Sequence, residues 1–154
     1  MEFICAYHQR QLETLSLSQL QDLWLLWMES ALWNYEQGNW CRGASFSGCA
    51  FDLARLAHWR YETLCMPVEM TLAAILLARV LREQGQPDQA DEFLDQAREL
   101  LTRSHRPAQP ILAEQVDECL QVLGFPVRQA AFFETYLNWP TIFNDRALAG
   151  PVFH

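Results

Sequence analysis

The groups in this chain that could do chemistry are its four histidines, five cysteines and nineteen acidic residues. A nucleophilic thiol needs a base within hydrogen-bond reach and a third group to orient that base. Cys41 or Cys49 with His58 is the pair the sequence offers, and no Asp or Glu stands at a spacing that would orient the imidazole of His8, His58, His105 or His154. Carboxylate metal centres on helices ordinarily carry a Glu-x-x-His pair, and none occurs. Glu114, Asp117 and Glu118, with Glu99 across a loop, therefore read as a solvated acidic face. All eleven basic residues are arginine, which removes Schiff-base chemistry and any phosphate loop that needs its lysine. The cysteines Cys5, Cys41, Cys49, Cys65 and Cys119 are odd in number and form no CxxC pair, so neither a disulfide framework nor a zinc site is expected. No metal and no cofactor is implied. A non-catalytic protein is the first expectation, and a helical enzyme with a Cys-His site is a remaining alternative.

The elements that would have to position any site are helical. From Met70 to Leu101 the chain reads as two amphipathic helices joined at Gly85-Gln86-Pro87. Leu72, Ile75, Leu76, Val80 and Leu81 recur at helical spacing on the first, and Leu94, Ala97, Leu100 and Leu101 on the second. Gly85 stops the first helix because glycine takes the left-handed conformation without steric cost, and Pro87 opens the second where its missing N–H is no loss. Asp88 and Asp91 lie near the positive end of that second helix, Arg98 and Arg103 near its negative end.

This hairpin resembles the tetratricopeptide repeat, a helix-turn-helix unit of roughly 34 residues. The likeness rests on Leu77-Ala78, Leu81, Gly85, Ala90, Leu94 and Ala97, with small residues at Ala78, Ala90 and Ala97 letting the helices approach. A weaker copy surrounds Gly38, through Trp27, Ala31, Trp40, Gly43 and Ala50, and a third resembles the family only through Leu120, Gly124 and Phe133. The turn glycines Gly38, Gly85 and Gly124 stand 47 and 39 residues apart, so either the helices are long or the units pack irregularly. The resemblance implies an all-α fold of six to seven helices, antiparallel hairpins stacked as a right-handed array in a single domain over 1–154.

Along the rest of the chain, residues 1–17 form an N-terminal segment of short helix or loop, and Ser18 is the expected N-cap of a helix reaching about Gln37. A second long helix runs from Asn39 to about Tyr61, weakened by Gly43 and Gly48, which close packing would explain. Pro67 opens the hairpin's leading helix after a join near Leu64 to Met66, and residues 104–110 are the clearest break in the chain. Pro110 opens a helix to about Leu123, and Gly124-Phe125-Pro126 repeats the earlier Gly-x-Pro turn before a last helix to about Asn138. Residues 139–154 are an aromatic tail, read as laid on the helices.

A formal net charge of −8 argues against nucleic acid and favours a neutral or basic protein partner. The longest apolar run, Leu23 to Met28, is too short to span a bilayer, and the N-terminus has no signal-peptide pattern, so a reduced cytoplasmic compartment is expected. Six tryptophans exceed what a small helical core uses, and aromatic anchors dominate protein interfaces. Trp24 and Trp33 are the interface candidates, whereas Trp27 and Trp40 match core positions of the repeat. In the repeat family the first helices of the units form the inner binding surface. Carried over, that surface comprises Leu25, Met28, Leu32 and Tyr35, then Leu72, Ile75, Arg79 and Arg82, with Glu114, Glu118 and Gln121 in the third unit. The lysine and asparagine of the family's peptide-carboxylate clamp are not supplied at these places. The resemblance thus implies a small adaptor or chaperone, similar in size and acidity to bacterial secretion chaperones, that binds a peptide or amphipathic helix of another protein. The alternative is a homodimer or higher homo-oligomer whose aromatic surface is buried on itself.

Overall fold

The computed structural model describes residues 3–61, 65–103 and 109–139, except for the side chains of 59–61. Most of the aromatic tail and the 104–108 break lie outside them. Among the described residues the chain is all α: α1 (Ala6–Leu12), α2 (Leu17–Glu36), α3 (Trp40–Tyr61), α4 (Pro67–Glu83), α5 (Pro87–Arg103), α6 (Pro110–Gly124), a 3-10 turn at Pro126–Arg128, and α7 (Gln129–Leu137). Each of the helices from α2 to α5 packs most closely on its neighbour in the chain, and α4 also touches α2, α6 and α7.

Local chemistry accounts for these boundaries. α2 begins two residues earlier than the sequence pattern implied, because Ser16 rather than Ser18 is its N-cap. The Ser16 hydroxyl accepts from Gln19 N–H while the Gln19 side chain accepts from Ser16 N–H, a reciprocal capping box. The two hairpin turns are alike. Gly38 (φ 78°) and Gly85 (φ 76°) are both left-handed, and in each the next residue donates five residues back, Asn39 to Asn34 and Gln86 to Leu81. That is the Schellman closure of a helix end. Gly124 breaks the analogy: it is the last residue of α6 and takes no positive φ, and Pro126 opens the 3-10 turn instead of the next α-helix. The left-handed residue of that region is Asn138, which caps α7 (φ 58°). The long period of the first unit comes from helix length, with 20 and 22 residues in α2 and α3 against 17 each in α4 and α5.

α4 is the axis of the core. Thirteen of its seventeen residues are buried, including every position from Met70 to Ala78, because helices cover it on several sides. Ala78, Ala90 and Ala97 are all buried, as close helix approach requires. On α5 Ala97 and Leu101 are buried as expected, but Phe93 is buried beside them, whereas Leu94 and Leu100 are only partly so.

The N-terminal segment is anchored by a contact the sequence did not announce. The buried Asp52 carboxylate of α3 accepts from the backbone N–H groups of Phe3 and Ile4, the latter at 3.3 Å, and is ion-paired to Arg55 at 3.0 Å. Cys49 Sγ donates to the Phe3 carbonyl at 3.7 Å. Phe3 then lies over Gly48, where a Cβ would overlap its ring, and faces Phe93 with centroids 5.7 Å apart. Gly43 serves a similar end against α4: a Cβ there would stand 3.4 Å from Val80 Cγ2.

Candidate interaction surface

The capping box fixes where α2 starts, and α3 and α4 decide which of its faces is core. Leu20, Trp24, Met28, Ala31, Asn34 and Tyr35 are buried, recurring three or four residues apart on one side. Asp22, Leu25, Leu26, Glu29, Trp33 and Glu36 are exposed and fall within one arc of the opposite side. Leu26 is 58% exposed and Trp33 59%, so a leucine and an indole stand in water between carboxylates. Leu23, Trp27 and Leu32 flank this face half-buried.

The ten residues expected to meet a partner therefore separate. Trp24, at 4% exposure, is core, as are Met28, Tyr35, Leu72 and Ile75. None of these five presents a side chain to a partner on the surface. Their reason for being apolar is the α2–α3–α4 packing, and the inward positions carried over from the repeat family do not coincide with the open face of this α2. Leu25 and Trp33 are exposed on that face, Leu32 is half-buried, and Arg79 and Arg82 lie on α4, half-buried and exposed respectively. Ile75, Arg79 and Arg82 do come together, at a cavity between α4 and the 3-10 turn. Trp40 packs on Tyr35 with centroids 5.6 Å apart, in line with its assignment to a core position. Leu26, Asp22, Glu29 and Glu36 were not singled out by sequence reasoning. A signal for them existed: the acids recur every seven residues, which draws the solvent line of the helix, and Leu25, Leu26 and Trp33 lie beside that line.

The groups weighed for chemistry are dispersed or desolvated. Cys41 is exposed and accepts from Gln84 Nε2 at 3.6 Å, and Cys49 is half-buried, with burial and then the Asp52 charge pushing its thiol up to about 11. Burial pushes the Cys119 thiol up to about 12. Both are poor nucleophiles by that measure. Cys5 Sγ does lie 3.1 Å from His8 Nδ1, on adjoining turns of the exposed N-terminal helix. The acids divide similarly. Glu114 and Asp117 are exposed, Glu118 accepts from the Tyr136 hydroxyl, and Glu99 pairs with Arg103 at 2.9 Å. Among the described residues no three His, Cys, Asp or Glu side chains are grouped to hold a metal ion, and no helix is long and apolar enough to cross a membrane.

No family model matches the sequence, no curated protein matches it, and no solved structure matches the fold.

Proposed function

We propose that this chain is a non-catalytic, cytoplasmic protein-binding module of tetratricopeptide type, an adaptor or chaperone whose α2 face takes an amphipathic segment of another protein. The observation that carries this reading is the exposed arc of α2, with Leu25, Leu26 and Trp33 set between Asp22, Glu29 and Glu36. Aromatic and aliphatic anchors on a helix face are what a second amphipathic helix seats against. The acidic border and the net charge of −8 favour a segment whose apolar stripe is flanked by arginine or lysine, and set two copies of this chain against each other.

The test uses the full chain and its Trp33→Asp variant, each immobilised and exposed to native cell extract, with captured proteins identified by mass spectrometry. A partner retained by the parent chain and lost by the variant, with the helical circular dichroism of both equal, supports the reading. A partner held equally by both moves the site off α2. Light scattering separates the oligomer alternative, since a concentration-independent monomer is expected here.

A further inference from the structure

The most lightly held helix of the fold is α1. No other helix packs closely on it, and Leu12 is its only buried residue. What fixes it is the pair of residues in front, whose main-chain groups are all met by side chains. Asp52 accepts from the N–H groups of Phe3 and Ile4, Cys49 donates to the Phe3 carbonyl, and Gln9 Nε2 donates to the Ile4 carbonyl at 2.9 Å. With the Phe3 ring seated on Gly48, this pair is a latch at the head of an otherwise exposed helix.

Two cavities flank α1, and Leu12 lines both. One, of about 430 Å³, is walled by Leu20 of α2 and by Leu53, Leu56 and Ala57 of α3. The other, of about 470 Å³, is walled by Leu15, Leu23 and Trp27. On the α1 side the lining is polar. Gln9 and Glu13 line the first cavity, His8 and Gln11 the second, and these two pairs project to either side of the Leu12 line. A helix that seats on an apolar surface ordinarily offers it a stripe three or four residues deep. Here a single leucine is offered, so the groove on α2 and α3 is covered by α1 but not filled by it. Both volumes are in the range that receives the apolar body of a ligand.

We propose that α1 is a displaceable occupant of a helix-binding groove on α2 and α3. The partner of the groove is an amphipathic helix of another protein that carries large apolar residues where α1 carries His8, Gln9, Leu12 and Glu13. That spacing, i, i+1, i+4 and i+5, sends one apolar flank into each cavity while a central residue takes the place of Leu12. The net charge of −8 favours arginine or lysine on the outer face of such a helix. None of Leu25, Leu26 and Trp33 lines either cavity, so the groove is separate from the open face of α2.

The experiment measures fluorescence anisotropy of a labelled synthetic helix of about fourteen residues, with leucine pairs at every fourth position and arginine and glutamine between. The full chain should bind it saturably, and a scrambled peptide of the same composition should not bind saturably. Phe3→Ala loosens the latch, so the groove is open more of the time and the peptide should bind about tenfold more tightly. His8→Leu with Glu13→Leu makes α1 a better occupant of its own groove. That double variant should bind the peptide about tenfold more weakly and melt at a higher temperature than the parent. Should Phe3→Ala lose its helical circular dichroism, the double variant decides alone, because it strengthens the fold. Trp33→Asp should leave the affinity unaltered, which keeps failure of this groove distinct from failure of the open α2 face. Absence of binding, equal binding of the scrambled peptide, loss of binding in Trp33→Asp, or an affinity that the double variant does not weaken would overturn the proposal.

Discussion

The α2–α3 and α4–α5 hairpins close with the same turn and then use their surfaces in opposite ways. Gly38 and Gly85 have nearly the same φ and the same pair of closing hydrogen bonds. Yet α4 is buried over most of its circumference, whereas α2 leaves an entire face in water with a leucine and a tryptophan on it. Turn chemistry thus defines a hairpin, and the number of neighbours decides which of its apolar residues are core. The difference also divides the labour: α4 holds the array together and α2 has surface to spare.

The comparison breaks most visibly under truncation. Phe93→Ala should cost about 3–5 kcal/mol and Leu76→Ala about 2–5 kcal/mol, since Phe93 is buried against Phe3 and Phe51 and Leu76 is buried on α4. Leu26→Ala should cost less than about 0.5 kcal/mol. Leu94, half-buried on the same helix as Phe93, should fall between them at about 1–2 kcal/mol. Urea unfolding of the four variants checks the order. A Leu26 variant as damaged as Leu76 would mean that the α2 face is packed rather than open.

A smaller effect tests how the two hairpins are tied by the N-terminal segment. Phe3 bridges them, lying on Gly48 of α3 and against Phe93 of α5. Gly48→Ala should lose about 1–3 kcal/mol by overpacking. Phe3→Ala removes the ring that the new methyl would meet, so Gly48→Ala introduced on that background should be neutral or gain up to about 1 kcal/mol from helix propensity. A double-mutant cycle reads this directly, and additive losses would show that the ring is not seated in the notch.

Much of this was legible in the sequence, and the misses have physical causes. The Gly85-x-Pro87 turn, Pro67 and Pro110 as helix openers, and the buried alanines follow from conformational rules that act on one or two residues, so they survive any tertiary context. The register of α5 is a tertiary matter: Phe93 and Leu94 are both apolar neighbours, and only the position of Phe3 and Phe51 makes Phe93 the inner one. On α2 nearly every turn carries an apolar residue, so period alone could not tell the Trp24 side from the Trp33 side. The acids at Asp22, Glu29 and Glu36 could have done so. Asp52 holding the amides of Phe3 and Ile4 spans almost fifty residues, and no local pattern encodes it. The cavity beside Arg79 and Arg82 likewise joins segments from α4 to α7.

The smallest effect compares acids rather than apolar groups. Glu69, in the first turn of α4, is largely withdrawn from water, and burial holds its carboxyl above the usual 4.5, with its backbone hydrogen bond opposing. A raised carboxyl means that the folded state binds the proton more tightly than the unfolded chain does. Stability from this group is then greatest in acid and falls as pH rises from 4.5 through the raised native value. Glu69→Gln removes that loss, so the variant should unfold at higher temperature than the parent at pH 7 and at the same temperature near pH 4. The helix dipole acts the other way, because a negative charge in the first turn of α4 is favourable. Burial being the larger influence, the net gain should be modest but positive. Glu29→Gln on the open face of α2 should leave the melting profile unchanged at both pH values, since that side chain is exposed in the fold as it is in the unfolded chain. A Glu69 variant less stable than the parent at pH 7 would mean that the dipole outweighs burial and that the start of α4 is wetter than its middle.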